Sequence, residues 1–162
     1  IKCGETQAET KMENKPLEIE TYEALHELTT RVLDPVIDYF GMIKLTYGFC
    51  SGTLSKNIKG RIAPELDQHS SCELKSDGEY ICPRLGAAVD FIVEDEDMHE
   101  VAVWVMDNTP FDRLYFYGSD RPIHVSFGPE FKNQIVVLLP AKNGKKRPAV
   151  VNERKFREKL WK

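Results

Sequence analysis

Gly86-Ala87-Ala88-Val89-Asp90-Phe91-Ile92-Val93 reads as one strand of a packed core. Its small, β-branched and aromatic residues are broken only by Asp90, and the run is too short for a buried helix. Immediately after it, Asp95 or Asp97 is placed to cap a helix that turns Met98, Val101, Ala102 and Val105 inward and stops before Pro110. Downstream, 113–117, 123–127 and 134–139 read as further strands at hairpin-like spacing. Upstream, Leu25, Leu28, Val32, Val36 and Phe40 recur at a helical period between Glu20 and Phe40. Pro35 falls inside that run and predicts a kink or a division near Asp34, with Gly41 as the stop and a strand over 42–47. Helices come first and a helix interrupts the strands. That order argues an α+β fold, with helices packed on a mainly antiparallel sheet.

The remaining segments carry weaker patterns. Residues 1–17 are polar and read as irregular. Residues 52–86 read as a long loop with a small hairpin at Tyr80-Ile81, and so long a loop in a compact domain is usually functional. A short helix is expected over 155–161.

At 162 residues the chain reads as a single domain, 1–162, large enough to bury a core. No apolar run is long enough to span a bilayer, so no membrane role is expected. The chain starts at Ile1 without a charged and apolar leader, which reads as a soluble protein of cytoplasmic synthesis. The missing initiator Met leaves a removed leader or tag open. Four cysteines do not make a disulfide scaffold; Cys72 and Cys82 are close enough to bridge a hairpin and equally suited to remain thiols.

Charge is uneven. Between 132 and 162 ten lysines and arginines face two acidic residues, whereas the whole chain carries −4. A basic extension over about 140–162 on an acidic body suits an anionic polymer such as nucleic acid. The plainer reading is a solvated loop, Lys142-Asn143-Gly144-Lys145-Lys146-Arg147, and a helix with a charged outer face, since the cluster lacks the interleaved aromatics of a stacking platform.

Three residues stand out chemically. His69 follows Asp67-Gln68, Asp90 interrupts the apolar strand, and His124 opens His124-Val125-Ser126-Phe127. Two imidazoles and a carboxylate are a ligand set for a divalent metal, most naturally Zn2+, with a fourth position left for water or substrate. Taken singly, a loop histidine is more often exposed and a strand-start histidine more often a satisfied core residue. Asp90 has the weaker alternative, because a carboxylate on an apolar strand is costly unless paired or metal-bound. His26 lies in Leu25-His26-Glu27-Leu28 with Thr30 four positions on, so it forms no His-Glu-x-x-His helix. His26 and His99 both read as surface residues.

The order of these segments resembles the M15 metallopeptidases, the D-alanyl-D-alanine carboxypeptidases and peptidoglycan endopeptidases, and most closely their phage-lysin branch. Asp67-Gln68-His69, Gly86-Ala87-Ala88-Val89-Asp90 and Pro122-Ile123-His124-Val125-Ser126 match the family's three ligand segments. Cys3-Gly4-Glu5-Thr6, Asn14-Lys15-Pro16, Leu33-Asp34-Pro35-Val36 and Phe40-Gly41 follow its opening, and Thr46-Tyr47-Gly48-Phe49-Cys50-Ser51 stands at its Thr-Ser-Gly-Tyr-Arg-Ser. The likeness covers about residues 1–128. It implies a fold of the hedgehog/DD-peptidase kind, zinc on His69, Asp90 and His124, and hydrolysis of a small peptide or cell-wall amide.

Three departures qualify that expectation. Arg121 stands three before His124, where the carboxypeptidases place a glutamate base, which leaves Asp120 as the expected base and Asp112 as a more distant one. Arg121 is then expected to stabilise an oxyanion. Cys50 replaces the arginine that engages the substrate carboxylate, and a thiol cannot mimic its fork. Arg61, Arg84 or Arg121 would supply charge instead, with Ser51 and Arg84 as the expected substrate contacts. His69 and Asp90 are 21 positions apart, longer than the family's spacing, and the extra residues at about 71–84 hold Cys72 and Cys82.

Rival readings follow from the departures. One is a metal-binding module without turnover that recognises an anionic partner such as a nucleotide or nucleic acid. Others are a structural domain of a phage particle, or a Cys50 nucleophile activated by His69 or His124.

Overall fold

A computed structural model describes residues 2–58, 62–141 and 146–161, with side chains from Thr6 onward. Arg61, the loop residues 142–145 and the side chains of Cys3, Gly4 and Glu5 therefore lie outside the described residues. The class is α+β: helices packed on a six-stranded, mainly antiparallel sheet. The sheet is ordered β1-β2-β4-β3-β5-β6, with β1 Lys44–Tyr47, β2 Ala87–Ile92, β3 Arg113–Phe116, β4 Ile123–Phe127, β5 Gln134–Pro140 and β6 Lys146–Val151. Only β3 and β5 pair in parallel.

The apolar run at 19–40 folds as three consecutive helical pieces. The α-helix α2 (Ile19–Leu28) passes through one π-helical turn (Thr29–Leu33) into α3 (Asp34–Phe40). Pro35 explains the division: it has no amide hydrogen to donate, and the Asp34 amide reaches back five residues to the Thr29 carbonyl. Gly41, at φ +87°, ends α3 with its amide on the Ile37 carbonyl. Leu28, Val32 and Val36 from this stripe are fully buried.

The later helices meet the same face of the sheet. Asp97, of the two candidates, caps α5 (Met98–Asn108), its carboxylate accepting the His99 amide at 2.8 Å. Met98, Val101, Ala102 and Val105 then pack with Val89, Phe91, Ile123, Val125, Leu114, Ile135 and Val137 into one core. Alternation along the strands sends Ala88, Asp90, His124, Tyr115, Leu138 and Pro148 to the opposite face.

Four expectations are corrected. Residues 1–17 are not wholly irregular, because Lys2–Thr10 forms α1. It lacks an apolar stripe, so its periodicity was silent; it lies against β1 and against α4, a single turn over Gly52–Ser55. Residues 146–151 form strand β6 rather than part of a solvated loop, paired with β5 from Ile135↔Val151 to Pro140↔Lys146. Pro148 suits an edge strand, where a missing amide donor costs no ladder bond on the outer side. The terminal helix α6 is shorter and earlier, Glu153–Arg157, capped by Asn152 on the Lys155 amide at 2.8 Å. His99 is buried, not a surface residue: its ring packs against Phe156 and Trp161, and Nε2 lies 3.0 Å from the Phe156 carbonyl.

Residues 52–86 are irregular but anchored. Two single 3₁₀ turns, Pro64–Leu66 and Gln68–Ser70, carry them past the end of β1, where the Cys50 amide donates to the His69 carbonyl at 2.9 Å. The expected hairpin is present as one bridge, Leu74↔Tyr80. Cys72 and Cys82 are separate buried thiols, Cys50 is buried as well, and burial raises the Cys82 thiol above its ordinary pKa. Among the described residues, no helix is long and apolar enough to cross a membrane.

Candidate metal centre

Register brings two of the three chemical residues together directly. Asp90 on β2 pairs with His124 on β4, and neighbouring Tyr47 on β1 and Tyr115 on β3 complete a row across four strands. His69 arrives from the long loop and closes the group from above. His124 Nδ1 lies 2.9 Å from Asp90 Oδ1, His69 Nε2 lies 3.2 Å from the same oxygen, and the two nitrogens are 3.1 Å apart. Among the described residues, this is the one group of three histidine, cysteine or carboxylate side chains so converged.

The spacing is that of a metal cage. Ligands about 2.0–2.2 Å from a tetrahedral zinc ion are separated by roughly 3.4 Å, so the observed triangle needs only a few tenths of an ångström of opening. Protons do not satisfy it as well: a proton on one nitrogen serves one edge and leaves other lone pairs opposed. A cation above the triangle serves all three. The group could therefore hold a metal ion. Burial alone would raise the Asp90 carboxyl, but hydrogen bonds from His124 and His69 outweigh it and hold the group well below the usual carboxylate range.

Aromatic edges fix both imidazoles. Tyr47 meets the His69 ring edge-on at 4.4 Å, and Tyr115 meets His124 likewise at 5.1 Å. The His69 turn is further fixed through its neighbours. Asp67 accepts the His69 amide at 3.0 Å, and Gln68 donates to the Leu85 carbonyl at 2.8 Å and to Asp112 at 3.0 Å. Asp112 and Arg113 are paired and buried, and Arg113 continues to Glu130. Asp112 thus has a structural place rather than the fallback base role, since its other oxygen accepts the Lys132 amide.

Gly86 enters the site through the backbone. Its φ of +76° starts β2, and a Cβ there would sit 2.1 Å from the Phe127 carbonyl oxygen. Only glycine lets the β2 and β4 ends approach this closely, on the strand pair that carries Asp90↔His124.

Above the triad lies a cleft of about 590 Å³. Asp67, Tyr47, Tyr115, Tyr117, Leu138 and Lys146 are among its lining residues. Burial first, then the charge of Asp90, raises the Tyr117 phenol above its ordinary pKa, so it stays a neutral donor.

The other expected site residues sit elsewhere. Asp120 and Arg121 are exposed in the turn between β3 and β4, and neither lines the cleft. Ser51 does not line it either; its hydroxyl caps α4 by accepting the Leu54 amide and donates to the Glu13 carbonyl. Arg84 stands behind the rim, donating to the Leu66 carbonyl at 2.8 Å. Sequence reasoning gave Asp67 and Tyr117 no role at the site, and it read Lys146 only as part of the basic extension. Asp67, two before a chosen ligand, was legible; Tyr117 and Lys146 depend on strand pairing. Protein-family models, curated proteins and solved structures, compared with this chain, yield no match.

Proposed function

We propose that this chain is a zinc-dependent hydrolase resembling the M15 peptidases, acting on a peptide-type amide of the kind found in peptidoglycan. The observation that carries the reading is the triangle of His69 Nε2, Asp90 Oδ1 and His124 Nδ1, with edges of 2.9–3.2 Å, at the floor of an open cleft. Three ligands with one side free suit catalysis better than a closed structural site. Zinc in such a site supplies Lewis acidity, polarising a carbonyl and acidifying water.

The protein's own groups divide the remaining work. Asp67 replaces Asp120 as the base, being the carboxylate other than Asp90 that lines the cleft. Tyr117, held neutral, donates a hydrogen bond to the substrate's developing negative oxygen. Tyr47 and Tyr115 hold the imidazoles in place.

Turnover of purified peptidoglycan fragments, with zinc supplied and after chelation, tests this. Release of new amino groups is expected with zinc, and loss on chelation and in His124→Ala. Absence of turnover in zinc-loaded protein across wall peptides overturns it.

A second reading rests on Lys146 and Arg147, both exposed on edge strand β6 of the basic extension. There the chain is a metal-binding module for a nucleotide or nucleic acid, without turnover. Salt-sensitive nucleic-acid binding, lost when both cations are neutralised, distinguishes it.

A further inference from the structure

Strand β6 extends the cleft well past the triad. Leu138 on β5 and Pro148 on β6 pair with each other and both line it, as does Lys146 two residues before Pro148 on the same face. Among the described lining residues, Lys146 is the one lysine or arginine, and it is exposed. On the sheet between the two ends lie Tyr115 and Leu138, and Ile58, Ile62 and Leu66 add further apolar lining to the cleft.

Register gives the length of this path. Tyr115 pairs with His124 on one side and Val136 on the other, and Val136 pairs with Val150. His124 and Val150 are therefore level and three strand steps apart, roughly 14 Å at the usual interstrand spacing. Lys146 lies four residues along β6 from Val150, about 13 Å further in the strand direction. The diagonal is about 19 Å, of which the lysine side chain recovers a part. An extended peptide advances about 3.3–3.6 Å per residue, so about five to six residues would span the whole diagonal, and about four suffice once roughly 6 Å of extended lysine side chain is subtracted.

We propose that the ligand of this cleft is elongated, with an apolar middle and a distal anionic group that Lys146 binds while its other end lies over the triad. This rests on the metal-site reading above and adds the substrate's length and polarity. The recognising chemistry is one oxyanion, carboxylate or phosphate, held by an ammonium group at the end of an apolar wall. Burial of the middle would supply affinity, and the ion pair would supply register along the cleft.

Synthetic probes test it on zinc-loaded full-length protein. Each carries a metal-binding hydroxamate, an aliphatic peptide spacer of increasing length, and a terminal carboxylate, phosphate monoester or neutral carboxamide. Calorimetric affinities are compared within each protein variant. The charged ends should gain about tenfold over carboxamide, the size of one hydrogen bond between charged groups, at a spacer of about four residues. Lys146→Ala should abolish that gain and Lys146→Arg should keep it. The larger of the carboxylate and phosphate gains names the anion. A gain absent at every length, or retained in Lys146→Ala, overturns the proposal while leaving the metal site standing. Failure of the shortest neutral hydroxamate to bind overturns both.

Discussion

His124 Nδ1 and His69 Nε2 face each other at 3.1 Å across a sequence separation of 55 residues, each also within hydrogen-bonding distance of one Asp90 oxygen. Two imidazole nitrogens this close, sharing one carboxylate oxygen, favour a common cation. Elemental analysis of zinc-supplied protein should find about one metal per chain, lost in His69→Ala and His124→Ala. Zinc at a hundredfold its Kd should stabilise the wild type by about 2.7 kcal/mol and leave both variants unmoved. At roughly 2–4 °C per kcal/mol for a chain of this size, thermal melting resolves the difference easily.

Gln68 couples the His69 turn to the buried Asp112–Arg113 pair. Asp112→Ala removes the acceptor shared by Gln68, Arg113 and the Lys132 amide, leaves Glu130 as the carboxylate on Arg113, and should cost about 1–3 kcal/mol in chemical denaturation. Gln68→Ala should cost less stability but weaken zinc binding about 10–100-fold, because the ligand loop loses its support. Unchanged zinc affinity in Gln68→Ala would show that the turn is held by Asp67 alone.

Gly86→Ala combines a strained positive φ with a collision against the Phe127 carbonyl. The backbone strain alone is worth about 1–3 kcal/mol, and relief of the collision requires β2 and β4 to separate. Denaturation should show a loss at least that large, together with weaker zinc binding. Normal stability would mean that the turn re-forms elsewhere.

His99 joins α5 to the C-terminal segment through Phe156 and Trp161. Its replacement by Ala leaves a cavity and an unpaired carbonyl, and should cost about 2–4 kcal/mol. Hydrogen exchange should rise first in 153–161, the part that the ring holds down.

Asp107 and Arg157 make a more exposed link between the same elements. The hydrogen bond from Arg157 outweighs burial and lowers the Asp107 carboxyl below its ordinary value. A lowered folded pKa contributes stability above the unfolded carboxylate value, about 3.9, and loses it as pH falls through the folded value. Asp107→Asn should therefore reduce stability near neutrality by no more than about 1 kcal/mol, since solvent screens the pair. The wild-type advantage should begin to shrink as pH falls below about 3.9 and be gone only below the still lower folded value. An advantage that persists in acid would show that packing rather than charge holds this contact.

The long periodic elements were legible because their burial is written locally. Leu28, Val32 and Val36 recur at helical spacing, and Ala87–Ile92 can only be core; both read correctly, and a cap at Asp95 or Asp97 was foreseen, the structure choosing Asp97. The short elements were not. α1 has no apolar stripe, and β6 hides behind Lys146, Arg147 and Pro148, residues that read as loop until β5 pairs with them. His99 looked like a first-turn surface residue because the ring stack that buries it comes from 156–161, far along the chain.

The site divides in the same way. The sequence by itself marked the candidate ligands, since a carboxylate inside an apolar strand is a local fact and the two histidines were picked out by their segments. That Gly86 must be glycine came only from the structure, where its positive φ and the nearby Phe127 carbonyl exclude a side chain. Only the tertiary structure decided which groups converge. The Asp90↔His124 register, the descent of His69 from a loop and the arrival of Lys146 on an edge strand each depend on pairing between distant segments. For the same reason Asp120 and Arg121, adjacent to His124 in the chain, sit outside the cleft while Asp67 lies within it. Proximity along a polypeptide reaches only a few residues, whereas a sheet aligns side chains by register across strands, and register is set by the whole core.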